Sequence, residues 1–463
     1  MSPELHRQVR AFCLAVQANP PAPLRELVPT YRSVTVQFDP LHPDAPLVED
    51  SLRQAEARAE TVDVPPGKLH VVPVRYGGED GPDLDEVAGL HGLTSDQIIA
   101  LHSERDYLVY CVGFSPGFAF LGGLPRELHT PRLGTPRKLV PAGSVGIGGE
   151  QTGVYPVATP GGWRLLGRTG FRFFDLEADP PCPIQMGDRV RFEPVDKLAA
   201  GQTSRLSEHD WKAREPVLEV LQPGLFTTVQ DLGRWGSQAA GVSVAGAMDS
   251  LALRSANNAV GNDPGAAALE LTLTGPTLRA LRPCTVALGG AVMPIRCNGR
   301  PAKPQEPMEL RSGDELEIGR ASTGSRAYLA VAGGIEVPLV LGSRSTCTRA
   351  GFGGLHGRVL QAGDRLAAGG ARAGAPPANV PQVSLPQGED LTVRVVLGPQ
   401  DDSFLPETID EFLLASFKIS PDADRMGYRL TGHPVRHSGA SEILSDGVVL
   451  GSIQVPPHGD PIV

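Results

Sequence analysis

Leu5, Val9, Phe12 and Val16 recur at helical spacing, so the chain is expected to open with an amphipathic helix over residues 4–18. Val34, Val36 and Phe38 then alternate with polar neighbours, the period of a strand, until Pro40 ends the run. A second helical stretch covers roughly 47–60, and Leu69 to Tyr76 reads as a strand. Residues 1–75 therefore suggest a small α+β subdomain. Two short helices come next, the second announced by a capping box, Thr94 with Gln97, ahead of Ile98, Ile99 and Leu101. From Tyr107 to Phe192 the texture changes to strands and Gly/Pro turns. Tyr107 to Val112, Val154-Tyr155-Pro156-Val157 and Phe171-Arg172-Phe173-Phe174 read as strands, the signature of a barrel or sandwich over 76–196.

Residues 197–215 are polar and unpatterned, and the domain linker is placed there. A second strand-rich module, 216–463, starts at Val217-Leu218-Glu219-Val220 and holds one clear helix near 249–260, opened by Asp249 or Ser250 and stopped by Gly261. Residues 368–384, rich in Ala, Gly and Pro, read as a mobile loop inside it. One phrase recurs: a Gly-Asp turn followed by an alternating strand, at Gly187-Asp188, Gly313-Asp314 and Gly363-Asp364. Glycine supplies positive φ and Asp bonds the nearby backbone. Repeated turn chemistry accounts for this by itself; with the change of texture at 197–215 it suggests two modules of related design.

Composition fits that reading. A chain of 463 residues exceeds one ordinary core, its Gly (55) and Pro (44) are spread without a period, and 41% apolar residues suffice to fill two cores. The formal charge of −10, with no dense Lys/Arg run, argues against nucleic-acid binding and adhesion to anionic membranes. No stretch approaches the ~20 apolar residues of a membrane helix. The N-terminus lacks a signal-peptide layout. Cys13, Cys111, Cys182, Cys284, Cys297 and Cys347 lie far apart, as buried thiols rather than a disulfide frame or zinc site, and the histidines are scattered, so no metal site is expected. A cytoplasmic location follows from these features.

Gly113-Phe114-Ser115-Pro116-Gly117 matches the G-x-S-x-G nucleophile elbow, but the residue after the serine is Pro116, which has no N–H to hold an oxyanion. The stretch Gly113 to Gly123 reads equally as a ligand-approach loop around Ser115 and as a tight turn with aromatic anchors. Arg132, Arg137 and Lys138 lie on a proline-fixed loop able to clamp a carboxylate or phosphate, or else form a solvated basic loop. The glycine-rich run 141–149, with Gly143 and Ser144, follows directly and is expected to form a backbone anion nest. In the second module, Gln230, Asp231 and Arg234 surround Gly233; bracing suits Asp231 and ligand contact suits Arg234. Arg344, on a glycine turn, is an anion-contact candidate, whereas Asn257, Asn258 and Glu270 are weaker. There is no phosphate loop of the G-x-x-x-x-G-K-[ST] type, no H-E-x-x-H and no biotin-carrying Met-Lys pair, which points to dependence on a partner.

Residues 30–195 resemble the B subunit of bacterial 5-oxoprolinase, also known as a Kip-type inhibitor of a sporulation kinase and as allophanate hydrolase subunit 1. The likeness rests on Tyr76-Gly77-Gly78-Glu79-Asp80-Gly81-Pro82-Asp83-Leu84, Gly113 to Leu124, Pro141 to Gly149, Gln151 to Pro156 with Tyr155, Thr159 to Trp163, and Leu166-Gly167-Arg168-Thr169. Residues 217–463 resemble the C subunit through Gly224 to Gly236, Gly246-Ala247-Met248-Asp249, Ala268-Leu269-Glu270 and Ser452 to Pro457. The resemblance implies a mainly β chain with two cyclophilin-like β-barrels in tandem, facing each other across a shared active region. It implies ATP, with magnesium, held with or by a separate lactam-utilisation subunit, and a small-molecule substrate, 5-oxoproline, opened to glutamate. It adds Tyr155 and Arg168 to the substrate- or anion-binding candidates; catalytic residues stay unassigned and self-association stays open. Urea-carboxylase relatives imply an alternative, carboxyl transfer from biotin on a partner domain; a third reading is regulation of a sensor histidine kinase. The chain departs from the family pattern in two places. An opening strand before the first helix is lacking, and the sequence ends at Pro461-Ile462-Val463 where the family continues through a closing strand, leaving the second barrel open or completed by another chain.

Overall fold

The first helix forms over Pro3–Ala18, with the Ser2 hydroxyl accepting from the Leu5 N–H at 3.2 Å. Its buried stripe is turned relative to the expected one: Leu5 is exposed and His6 is buried edge-on against Tyr110, at 4.9 Å between ring centroids. The computed structural model describes residues 2–198, 211–303, 306–370, 390–439, 443 and 445–463. Most of the expected linker (199–210) and of the expected mobile loop (371–384) lies outside the described residues. Strand makes up 30% of the chain against 18% helix, so the fold is mainly β. The chain divides into two compact units, Met1–Pro29 with Val36–Leu385, and Thr30–Thr35 with Pro386–Val463.

The first unit holds the first strand-rich module and the second as far as Leu385. In the first, seven strands close a barrel in the order Arg164–Arg168, Leu69–Tyr76, Arg189–Pro194, Tyr107–Val112, Ala119–Gly122, Gln151–Val154 and Ser144–Gly148. Leu69–Tyr76 and Arg189–Pro194 run parallel; the other pairs are antiparallel. Val72, Val109, Leu121, Ile147, Leu166 and Phe192 fill the interior. Two expected strands differ. The strand through Val154 stops there, because Pro156 has no N–H to extend a ladder. Phe171 to Phe174 is a loop that pairs with no neighbouring strand among the described residues, although Phe173 is buried in the barrel core and Phe174 in a separate cluster with residues of the second module.

Inside this barrel runs a buried polar chain. The Thr152 hydroxyl donates to the Gly146 carbonyl (3.1 Å), so its oxygen accepts from His102 Nε2–H (2.7 Å), and His102 Nδ1 accepts from the Tyr76 hydroxyl (2.7 Å). Burial pushes His102 down to about 3, and burial with nearby Arg10 pushes His6 down to about 4. Both rings are neutral when folded and charge near pH 6.5 when unfolded, so stability present above that pH is lost as pH falls toward the folded values. Between pH 6.5 and 5 each ring is expected to cost about 2 kcal/mol. Urea titrations at the two pH values check this; a His102→Gln variant should lose about half of the difference.

The second module is built from a seven-stranded and a five-stranded sheet around one core that includes Leu218, Leu269, Leu271, Leu288, Leu316 and Leu329. The helix Ser250–Ala259, capped by Asp249 accepting from the Ala252 N–H (2.9 Å), lies on the strand Cys284–Val292 at Gly289. A Cβ there would stand 2.9 Å from the Ala252 carbonyl oxygen, so the helix sits this close only over glycine.

The three Gly-Asp turns share one geometry. The glycines take φ of +91°, +91° and +87° at 187, 313 and 363. Each Asp carboxylate accepts the N–H three residues earlier: Gln185 to Asp188 (3.0 Å), Arg311 to Asp314 (2.7 Å) and Gln361 to Asp364 (2.7 Å). A strand follows at once each time, Arg189–Pro194, Glu315–Ile318 and Arg365–Ala368.

In the second unit, Asp446 gathers Ser33, Thr30 (3.2 Å) and the Gln400 amide (3.0 Å), and Tyr428 exchanges backbone hydrogen bonds with Val463 (2.8 and 3.0 Å). Among the described residues no helix is long and apolar enough to cross a membrane.

Candidate functional site

The two modules of the first unit meet through loops. Gly117 donates its N–H to the Ala240 carbonyl (2.9 Å), and Gly241, at φ +76°, lies so close to the Ser115 carbonyl that a Cβ would stand 2.2 Å from its oxygen. Phe174 stacks on Phe352 at 6.3 Å within a cluster shared with Val242, Cys347 and Ala350. Arg349 of the second module lies over the Phe114 ring (4.9 Å) and donates to the Thr159 hydroxyl (3.3 Å) of the first. Phe114 takes φ +67°, a left-handed conformation uncommon outside glycine, so the serine loop is strained where the modules touch.

Ser115 is 3% exposed, and its hydroxyl has no hydrogen-bond partner among the described residues. Arg132 and Lys138 are exposed; Arg137 is drawn inward by Asp83 (2.6 Å) and the Trp163 carbonyl (3.4 Å). Arg132 and Arg137 both act on Tyr155, which is buried against Phe118 and Trp163 and whose hydroxyl burial shifts upward. Arg137 and Lys138 stand on a two-stranded ribbon that pairs Val140 with Thr159, the residue reached by Arg349. Arg349 therefore extends the cationic edge from the other module.

The expected anion nest at 141–149 is not there. Residues 144–148 form an inner barrel strand between Gln151–Val154 and Arg164–Arg168, the Gly143 N–H goes to the Tyr155 carbonyl (2.7 Å) and the Gly149 N–H to Thr130 (2.8 Å). Sheet pairing consumes the donors a nest would offer. Ser144 is buried in that strand, and Arg168 Nε donates to the Ala142 carbonyl (3.1 Å).

A nest does exist elsewhere, and a side chain of this chain fills it. The Glu26 carboxylate accepts from the N–H groups of Gly236 (3.0 Å) and Ala239 (2.9 Å), with those of Ser237 and Gln238 also directed at it. Burial outweighs these donors and holds the Glu26 pKa above the usual carboxylate range. Beside it Arg25 lies over Trp235 (5.1 Å). Nothing local in the sequence marks Glu26 or Arg349.

In the second module Asp231 is a brace. Its carboxylate accepts from Gly233 N–H (2.8 Å), Arg344 N–H (2.6 Å) and the hydroxyls of Ser343 (2.6 Å) and Ser345 (2.5 Å). Arg344 donates Nε to the Val337 carbonyl (3.1 Å). Arg234 is 1% exposed, stacked on Phe352 (5.0 Å), and bonded to the carbonyls of Val340 (3.4 Å) and Ser345, with Nη1 unpartnered among the described residues. Its burial lowers the pKa, opposed by Cys347 and Asp231. Gln230, fully buried, donates to Thr228 (3.0 Å) and to the Thr346 carbonyl (3.2 Å). Gln230, Asp231 and Arg234 thus converge on the segment 343–346, which includes Arg344. A depression of about 310 Å³ in the second unit, lined by residues including Arg436, His437 and His458, contains none of the predicted site residues.

Residues 1–184 match the family described as carboxyltransferase domain, subdomain C and D, and residues 240–463 match carboxyltransferase domain, subdomain A and B. The chain is 46% identical to the B subunit of 5-oxoprolinase from Haemophilus influenzae over 186 residues, 40% of this chain and 85% of that one. A 55% identical match to the B subunit from Escherichia coli O157:H7 spans 28% of this chain and 60% of that protein. The C subunit of 5-oxoprolinase from Escherichia coli K12 is 39% identical over 247 residues, 53% of this chain and 79% of that one. Urea amidolyase of Lachancea kluyveri is 39% identical over 252 residues, which is 51% of this chain but 14% of that enzyme. The crystal structure of TTHA0988 is 35% identical, with a TM-score of 0.87, covering 100% of this chain and 90% of that one. With a B-type half joined to a C-type half that it meets through the serine loop, this chain belongs to the family of the B and C subunits of 5-oxoprolinase.

Proposed function

We propose that the chain is the fused B/C component of an ATP-dependent 5-oxoprolinase, acting in the cytoplasm with a separate lactam-utilisation subunit. The observation that carries this reading is the joint coverage, in one polypeptide, of 85% of a B-type and 79% of a C-type 5-oxoprolinase chain. The reaction consumes 5-oxoproline, ATP and water and yields glutamate, ADP and phosphate. The lactam amide is resonance-stabilised; phosphoryl transfer from ATP to its oxygen turns the ring carbon into an electrophile, one water adds there and the C–N bond breaks to free the amine, and a second water hydrolyses the resulting acyl phosphate to glutamate and phosphate. That intermediate is anionic and calls for cations and N–H donors. The cationic edge of Arg132, Lys138 and Arg349 is the part of this chain suited to phosphate oxygens. In this reading magnesium travels with ATP, whose phosphates supply most of its ligands, and is held with or by the partner subunit.

Reconstitution with the lactam-utilisation subunit tests the reading. Glutamate release from 5-oxoproline is expected only when ATP and both proteins are present; release that ignores either one sinks it. The carboxyltransferase descriptions of both halves and the urea amidolyase likeness favour a second reading, transfer of a carboxyl group from a biotinyl partner. Carboxyl transfer from a supplied biotinyl protein, without glutamate release, selects that alternative.

A further inference from the structure

The depression of about 310 Å³ in the second unit falls within the size range of small-molecule sites, roughly 300–1,000 Å³. Two loops wall it, one around Arg436 and one around His458, and they are tied to each other. Val435 donates its N–H to the Gly459 carbonyl (2.9 Å), and Gly459, at φ +87°, lies so close that a Cβ would stand 2.9 Å from the Val435 carbonyl oxygen. His437 Nε2–H donates to the Val455 carbonyl (3.1 Å), and its ring is tilted on Phe404 at 5.0 Å between centroids. Hydrogen bonds and ring packing thus hold the walls of the hollow.

Its charge is of one sign. The chain carries a formal charge of −10, yet Arg436, His437 and His458 line the hollow and no lining residue is acidic. Arg358 and Arg137 lie against carboxylates, whereas Arg436 and His458 are exposed, with neither a hydrogen bond nor an ion pair among the described residues. With Nε2 committed to a carbonyl, His437 has Nδ1 left for a ligand. A concave surface of one sign concentrates ions of the other. The planar guanidinium grips phosphate oxygens in pairs, and protonated imidazoles add further donors. Three donor side chains exceed the two oxygens of a carboxylate and match the three free oxygens of a phosphate monoester. We infer that Arg436, His437 and His458 form a binding site for the phosphate group of a small molecule. The site lies wholly within the second unit and does not depend on the function proposed above.

Calorimetric titration of the full chain with inorganic phosphate and with glycerol phosphate, in a buffer free of other multivalent anions, tests the site. Both are expected to bind at millimolar concentration or below, and chloride at matched ionic strength is expected not to displace them. Arg436→Gln and His458→Asn should each weaken binding about tenfold. The melting temperature should stay unchanged, since neither side chain has a partner to lose. Phosphate should also slow the modification of Arg436 by phenylglyoxal, read by mass spectrometry of the labelled peptide. Tighter binding of glycerol phosphate supports a monoester as the occupant, and the reverse order supports free phosphate. Absence of binding, displacement by chloride, or affinities that both variants leave untouched overturns the site. Loss of binding in Arg349→Gln alone also overturns it, because the phosphate then sits at the seam between the two strand-rich modules.

Discussion

Asp231→Ala is expected to destabilise the first unit by about 4 kcal/mol, the largest single effect foreseen here. The carboxylate takes four donors, the N–H groups of Gly233 and Arg344 and the hydroxyls of Ser343 and Ser345. Removing it strands the two backbone donors, while the hydroxyls turn to weaker acceptors, and each stranded donor costs about 1–3 kcal/mol. The segment 343–346 would then lose its hold, and with it the carbonyls of Ser345 and Thr346 that anchor Arg234 and Gln230. Asp231→Asn should cost less, because one amide oxygen still accepts. Hydrogen exchange at the Arg344 amide reports the loss locally, and denaturant titration reports it globally. An exchange rate and midpoint equal to the parent in the alanine variant would show that the four bonds are dispensable.

Glu26→Ala is expected to cost about 3 kcal/mol through the loop 236–240. Four N–H groups face the carboxylate, and the turn they form carries the Ala240 carbonyl and Gly241 against the serine loop. Without the carboxylate these donors lose their shared acceptor, and the fault passes to Gly117. Because burial already raises the Glu26 pKa, a neutral acceptor retains part of the fit, and Glu26→Gln should cost about 1 kcal/mol. Exchange of the Gly236, Ala239 and Gly117 amides in the full chain orders the three proteins as parent, glutamine, alanine. Equal protection of Gly117 in all three would disconnect Glu26 from the seam.

These two carboxylates show what a linear reading reaches. Asp231 was legible because its partner Gly233 lies two residues away and its glycine turn advertises a brace. Thr94 with Gln97, Asp249 and the three Gly-Asp turns were legible for the same reason: their hydrogen bonds close within three residues. Glu26 and Gly236 are 210 positions apart, and Arg349 and Thr159 are 190 apart, so neither partnership leaves a local trace. The glycine run 141–149 misled in the other direction. Glycines suit an anion nest and an inner strand squeezed against Trp163 and Arg164 alike, and only the neighbours that claim the N–H groups distinguish the two. Phe173 and Phe174 looked like a strand because aromatics favour one, yet both serve as anchors of a loop that finds no pairing strand among the described residues.

The Gly-Asp turns bear on how such a chain assembles. Closing a barrel from strands as distant as Leu69–Tyr76 and Arg189–Pro194 carries a loop-closure cost and invites slips in pairing. At 188, 314 and 364 the carboxylate holds an amide only three positions back, a contact whose closure needs no sheet. Each following strand therefore enters with its first residue already indexed, like a ratchet tooth cut into the chain. Asp188 then takes the Lys68 N–H (2.8 Å) at the mouth of the partner strand, so the same tooth that sets one strand's start also aligns the one it must find.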